Sequence, residues 1–282
     1  MSADRLLLDT TVQLWRIAYG AEEASVFHGE LAGQKEVYTT SFVFREFLNT
    51  IIADIKYVYL QTQELLYPQD DGRVGLDQLV RFLAIGKGNF SNRSVRRIHL
   101  VIGMLLESFE YTRVPKGKIL VRLERTASRF VRDFFRYPNQ VGQYRSVICL
   151  AGLDDDPSEL NNMRTCRPFP ERPAFPRKVA AFLEKAKSQV EQVENEMSKA
   201  TLAQGRDDKL LKVFRYLKDG RGRFDFSEKL RRYKTWNWAL GDLLIALETP
   251  GDAAISRRTE RLGFTAGPSA SPAIRVTECL VD

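Results

Sequence analysis

The stretch Arg5-Leu6-Leu7-Leu8-Asp9-Thr10-Thr11-Val12 decides how the rest of the chain is read. A short apolar run closed by a carboxylate is the pattern of a strand buried on both faces, with Asp9 at its carboxyl end. Thr11 to Tyr19 then reads as a helix, with Val12, Trp15 and Tyr19 on one face. Further out, Val37 to Thr40 is a second extended stretch or a loop. Ser41 is placed to cap a helix from Phe42 to Leu60. On that helix Phe44, Phe47, Ile51, Ile55 and Val58 recur at helical spacing.

Beyond a turn-rich segment from Tyr67-Pro68 to Gly75, the middle of the chain reads as helices and connectors. Gly86 to Asn92 is a loop, and Ser94 to Tyr111 and Lys118 to Tyr137 are helices. Asp154 to Pro176 is polar and carries five prolines, Pro157, Pro168, Pro170, Pro173 and Pro176, which makes it a surface connector. Lys178 to Ala203 is a long helix with an apolar stripe. That stripe fits a hairpin arm packed on its own chain, with a homodimeric coiled coil as the alternative. Asp207 or Asp208 can cap a helix ending near Lys218, with Gly220 and Gly222 at its exit. Ser227 caps the next, to about Thr235. Trp236 to Glu248 is a helix carrying Asp242, Pro250-Gly251 a turn, and Ala253 to Ser256 a short strand. Gly267 to Pro272 reads as loop, and the last ten residues as an added edge strand. No internal repeat is visible.

Composition narrows the function. The chain has 282 residues, 44% hydrophobic and 28% charged, as a globular protein does. No stretch reaches the roughly 20 apolar residues of a membrane helix. The opening MSADRLLLDT lacks the long apolar segment of a signal peptide. Cys149, Cys166 and Cys279 are odd in number and lack metal-ligand spacing, which points to a reducing cytoplasm without disulfides. With His28 and His99 as the only histidines, a histidine-built zinc hydrolase is disfavoured. The net charge is +7. Between Arg81 and Arg145 there are 14 Lys and Arg against four acids, and 14 − 4 = 10 exceeds the charge of the whole chain. A polyanion is the natural partner of such a segment.

Three acids stand where a metal site can assemble. Asp9 ends a buried strand, Glu46 lies early in a helix, and Asp242 follows Ala239-Leu240-Gly241 within an apolar helix. Singly, Asp9 reads as a helix cap and Glu46 as a solvated helix residue. Asp242 is harder to explain that way, because a carboxylate flanked by Leu243, Leu244, Ile245 and Ala246 is costly to bury without a partner or a cation. Carboxylates of this kind hold Mg²⁺ or Mn²⁺ through oxygen.

The segment Leu6-Leu7-Leu8-Asp9-Thr10-Thr11-Val12 is similar to the opening strand of PIN-domain nucleases, which carries their first metal-binding Asp. Tyr38-Thr39-Thr40-Ser41-Phe42-Val43-Phe44-Arg45-Glu46-Phe47 resembles their second motif, with Glu46 in the place of its acid. Gly241-Asp242-Leu243-Leu244-Ile245-Ala246-Leu247-Glu248 resembles their third. The likeness continues through Pro250-Gly251-Asp252-Ala253-Ala254-Ile255-Ser256, where the family has a loop and a strand ending in Thr or Ser.

The resemblance implies a three-layer α/β/α sandwich with a short, mainly parallel sheet, interrupted by a large helical insertion. Residues 1–63 and 231–282 are then two halves of one core, because Asp9 and Asp242 must meet, and 64–230 is a basic helical insertion. It also implies a metal-dependent ribonuclease in which Asp9, Glu46 and Asp242 hold Mg²⁺ or Mn²⁺ and Thr10 and Ser256 support them from behind. The sequence departs from the pattern at the fourth acidic position, which falls on Arg258. Asp252 and Glu260 are near but do not match by position. An arginine there can hold a substrate phosphate. The departure keeps open a second reading, a catalytically inactive nucleic-acid-binding or regulatory protein. A toxin or defence effector held by a regulatory protein partner is a third.

Within Lys118 to Tyr137, Arg122, Arg125, Arg129, Arg132 and Arg136 follow steps of 3, 4, 3 and 4 and share one helix face. Such a stripe suits a phosphate backbone or else is a solvated face; that the polymer is RNA first and DNA second is what the resemblance implies. Arg93, Arg96, Arg97, Arg221, Arg223, Lys229, Arg231 and Arg232 are candidates to extend it. Tyr137, Trp236 and Trp238 are core residues or, alternatively, stacking platforms.

Overall fold

The computed structural model describes residues 5–18, 36–64, 72–85, 92–109, 113–138, 144–150, 174–204, 209–231, 238–248 and 254–256. In chain order its elements are β1 (Arg5–Leu8), α1 (Thr10–Ala18), β2 (Glu36–Thr40) and α2 (Ser41–Phe47). A π-helical turn (Leu48–Ile52) leads directly into α3 (Ala53–Glu64). Then come β3 (Arg73–Gly75), α4 (Leu76–Ile85), α5 (Asn92–Glu107), β4 (Arg113–Pro115), α6 (Lys116–Phe134), β5 (Arg136–Pro138), β6 (Tyr144–Ser146) and β7 (Ile148–Leu150). The chain continues with α7 (Ala174–Lys185), α8 (Lys187–Gln204), α9 (Lys209–Leu217), α10 (Phe226–Arg231), α11 (Trp238–Glu248) and β8 (Ala254–Ser256). The fold is mixed α/β, mostly helical, around one short parallel sheet. No helix among the described residues is long and apolar enough to cross a membrane.

Leu6, Leu7 and Leu8 are all buried, and alternation along the strand divides them between two cores. Leu7 joins the large core with Tyr38, Phe44, Phe47, Leu240 and Leu244. Leu6 and Leu8 join a smaller core with Val12, Val37, Tyr137 and Val147. A strand covered on both faces gains nothing from alternating polar residues, which is why the run is continuously apolar.

The sheet order is β7-β2-β1-β8, and each neighbouring pair is parallel. Leu7 stands opposite Tyr38 on one side and Ile255 on the other. The first and last described strands are therefore direct neighbours. β7 comes from within residues 64–230, the stretch the sequence reading assigned to an insertion, and it occupies the edge beside β2. The apolar run Val147-Ile148-Cys149-Leu150 was its signal.

Several boundaries differ from expectation for local reasons. Thr40, not Ser41, caps α2, its hydroxyl accepting the Val43 N–H at 3.1 Å. The helix after it contains the π turn, where the Thr50 hydroxyl donates back to the carbonyls of Glu46 and Phe47 at 2.7 and 2.9 Å. Asp225, not Ser227, caps α10, accepting the Glu228 N–H at 3.2 Å. The turn expected at 67–75 includes β3, paired antiparallel with β4. The long helix is broken at Ala186, and Val179, Val190 and Met197 of its stripe are buried in the chain's own core, as is Leu183 next to Phe182. Asp207, Asp208, most of the connector 154–176 and the tail beyond 256 lie outside the described residues.

The helix expected to run to Tyr137 stops at Phe134, so Arg136 lies on β5 and not on the helix. Pro138 keeps the helix from running on, because it has no N–H to offer the Phe134 carbonyl four residues back and pushes Tyr137 to extended backbone. The end of the helix is capped by Arg16, which ties the N-terminal unit to the middle of the chain. Its guanidinium is buried and donates to the carbonyls of Asp133 at 2.8 Å, Phe134 at 3.1 Å and Arg136. It also donates to Gln13 Oε1. The carbonyls of Asp133 and Phe134 are orphan carbonyls of a helix end, and a cation there also meets the negative end of the helix dipole. Burial lowers the Arg16 pKa to about 10, which leaves it charged at neutral pH. Phe44, Phe47, Phe134 and Phe135 close the same junction with ring centroids 4.8 to 5.1 Å apart.

Candidate functional site

In a parallel sheet, ligands gather outside the carboxyl ends of the strands, where the strand order reverses. Here the chain steps outward from β1 to β2 and β7, then returns to the other side of β1 for β8. The reversal lies between β1 and β8, and Asp9 is the first residue beyond β1. Ser256, the last residue of β8, is paired with Leu8 directly beside it.

Asp9 caps α1. One carboxylate oxygen accepts the Val12 N–H at 2.8 Å, and its carbonyl accepts the Gln13 N–H at 3.0 Å. This realises the simple structural reading of Asp9 without removing it from the sheet edge, where it is half-buried. Next to it, the Thr10 hydroxyl donates to Glu46 Oε2. That bond joins the β1–α1 corner to α2 across 36 residues of sequence. The other Glu46 oxygen faces α11. A Cβ added to Gly241 would lie 3.2 Å from Glu46 Oε1 and 3.0 Å from the Phe42 ring. Gly241 therefore lets α11 approach α2 closely, and Asp242 is the next residue.

The contacts thus run from Asp9 through its neighbour Thr10 to Glu46, and from Glu46 to Gly241 and its neighbour Asp242. All three acids are half-buried. They share oxygen donor chemistry, which fits a hard divalent ion. Among the described residues, no group of three or more His, Cys, Asp or Glu side chains is arranged as a metal-binding cluster. Asp252, Arg258 and Glu260 lie outside the described residues, as does Trp236.

A fourth acid at this edge was missed by sequence reasoning. Glu248, at the end of α11, accepts the Ser41 hydroxyl at 2.9 Å and the Phe42 N–H at 3.5 Å. It satisfies the amino end of α2, where a negative charge is favoured. Its signal was its place in the third motif, seven residues into Gly241 to Glu248. Cys149 lies nearby on β7. Burial and the Glu248 charge push its thiol pKa up to about 11.

The expected cationic stripe separates into two parts. Arg122, Arg125, Arg129 and Arg132 are exposed on α6, while Ile119, Leu123, Phe130 and Phe134 bury its other side. Arg136 is exposed on β5. Tyr137 is buried, so it belongs to the core and is not a stacking platform. Arg97 does not extend the stripe. It forms a largely buried ion pair with Asp54, whose pKa is raised by burial and pulled back only in part by Arg97. Arg223 and Arg231 pair with Asp219 and Glu228 at 3.2 and 2.9 Å.

Comparison with family models, curated proteins and solved structures finds no match to this chain.

Proposed function

We propose that the chain is a metal-dependent ribonuclease with a PIN-like three-layer α/β/α core, acting at the carboxyl edge between β1 and β8. The observation that carries this reading is the contact of Glu46 with both Thr10 and Gly241, which draws the three acid-bearing segments to one sheet edge. Asp9, Glu46 and Asp242 would hold Mg²⁺ or Mn²⁺, and such an ion supplies the positive charge that activates water and offsets charge on a phosphodiester. The residues of the chain contribute position. Thr10 orients one oxygen of Glu46, the Val12 N–H orients one oxygen of Asp9, and Ser256 stands beside the corner that carries both.

The test is incubation with RNA and DNA of mixed sequence, with Mn²⁺ or with chelator, beside Asp9→Asn. Cleavage of RNA that needs the metal and is lost in Asp9→Asn is expected. Undiminished cleavage by Asp9→Asn would remove the site assignment. The alternative is an inactive nucleic-acid-binding protein. It is favoured by the fact that Asp9 and Glu46 already accept hydrogen bonds from the protein. Binding without cleavage under every metal condition would select it.

A further inference from the structure

Lys118, Arg122, Arg125, Arg129 and Arg132 are all exposed on α6. At about 100° per residue they fall within an arc of roughly 80°, and at about 1.5 Å per residue they extend over roughly 21 Å. Acids interrupt the line little. Glu124 is turned toward α3, where it accepts the Tyr59 hydroxyl at 3.0 Å, and Asp133 flanks Arg132 at 3.5 Å. Arg129 also lies over the Phe130 ring, 5.3 Å from its centroid, and Arg122 donates to Ser108 at 3.0 Å. These contacts hold the cations along the helix while leaving them exposed.

Where the helix ends, the hairpin β5–β6 continues the surface. Arg136 stands opposite Ser146, Tyr137 opposite Arg145, and Pro138 opposite Tyr144. Successive side chains alternate between faces, so Arg136 and Tyr144 share the face opposite Tyr137. Tyr137 is the buried one. Tyr144 is 66% exposed, the highest value among the described large hydrophobic residues. Among the described residues, this aromatic ring stays exposed at the end of a line of arginines. The Arg16 cap and the phenylalanine cluster fix the corner between helix and hairpin, so the surface is preorganised.

We propose that this face binds single-stranded nucleic acid, with phosphates along the cations of α6 and Arg136 and one base stacked on Tyr144. A line of one sign matches a polymer that carries one charge per nucleotide, and guanidinium forks pair with phosphate oxygens. The ring selects a single strand, because a base exposes its face only when unstacked. This goes beyond the cleavage reading and does not need it, since the groups involved lie outside the acid site.

The experiment is fluorescence anisotropy of the full chain in chelator, with labelled single-stranded RNA, single-stranded DNA and duplex DNA of mixed sequence, across a salt titration. Both single strands should bind. Reversing Arg125 and Arg129 to Glu should weaken single-strand binding by about tenfold or more. It should also lower the log–log salt slope by about 1.4, at roughly 0.7 per lost phosphate contact. An equal charge change at Lys199 and Arg177, both exposed and outside the basic segment, should leave both unchanged. Tyr144→Ala should weaken single strands about fivefold or more and leave duplex binding unaltered. The same pair as Arg125→Gln and Arg129→Gln, with a circular dichroism melt, separates lost contacts from lost fold. Absence of single-strand binding would overturn the proposal, as would a loss no larger than in the Lys199 and Arg177 control. Capture of an acidic protein partner in place of oligonucleotide would also overturn it. Cleavage without this binding defeats the proposal alone, whereas binding without cleavage defeats only the nuclease reading.

Discussion

At the carboxyl edge of the sheet, Asp9 and Glu46 are engaged by protein donors and half-buried. Along α6 the arginines face solvent. The difference is one of construction. The segments that carry Asp9 and Glu46 come from elements far apart in sequence, and one carboxylate oxygen of each accepts a hydrogen bond from a neighbour. The cations come from one helix and one turn beyond it, which suffices for a polymer that binds through many similar contacts. Helix α1 joins the two regions. Asp9 caps its beginning, and Arg16 in its last turn caps the end of α6.

The largest expected effect isolates the charge at the edge from its capping role. Asn caps helices as well as Asp does, so Asp9→Asn should keep the melting temperature within experimental error. Cleavage should fall by more than the roughly ten- to hundredfold typical of a residue that only supports a metal ligand. A large drop in melting temperature instead would make Asp9 a purely structural cap. Thr10→Val should fall within that ten- to hundredfold range, and Thr10→Ser should restore most of the loss. Equal loss in Ser and Val would show that the hydroxyl does not position Glu46.

The joint between the regions comes next. Arg16→Met leaves the carbonyls of Asp133, Phe134 and Arg136 without their buried donor and should cost about 2–4 kcal/mol in denaturant unfolding. Oligonucleotide affinity should fall with it, although no surface cation is changed. A cost below about 0.5 kcal/mol would mean that the cap is dispensable and the two regions are independently held.

Smaller effects test the close approach of α11. Gly241→Ala places a methyl 3.0 Å from the buried Phe42 ring and should destabilise by about 1 kcal/mol after the helix gains its better former. Gly103→Ala, on α5 with nothing within 4 Å, should instead stabilise by up to about 1 kcal/mol. Matching signs for the two would deny that Gly241 is needed for contact. The smallest effect is one of pH. Between about 9 and about 11 the unfolded chain loses the Cys149 proton and the folded chain keeps it. The folded state then holds more protons, so stability should fall as pH rises through that window. Cys149→Ser should flatten that part of the decline. An unchanged pH profile would show that Cys149 is not buried beside Glu248.

Much of the fold was legible because its cues are local. The run Leu6 to Leu8, the strand before Ser41 and the periodic Phe44, Phe47, Ile51 and Ile55 each mark an element within a few residues. The edge strand β7 was overlooked because three residues give too short a pattern to separate from a loop. The π turn, the caps by Thr40 and Asp225 and the Arg97–Asp54 pair were hidden for another reason. The turn and the caps depend on which of several neighbouring polar groups makes a local bond, and only the Arg97–Asp54 pair joins distant segments.

By itself the sequence determined the apolar run that sets β1 between two cores and the line of cations from Arg122 to Arg132 on α6. These follow from backbone sterics and helical periodicity, which act over a few residues. Only the tertiary structure decided that Leu8 lies beside Ser256, that Thr10 reaches Glu46, that Gly241 admits α11 to α2, and that Arg16 caps α6. Those contacts join segments from 36 to more than 240 residues apart. They arise because buried carbonyls, carboxylates and hydroxyls must all find partners once the two cores close.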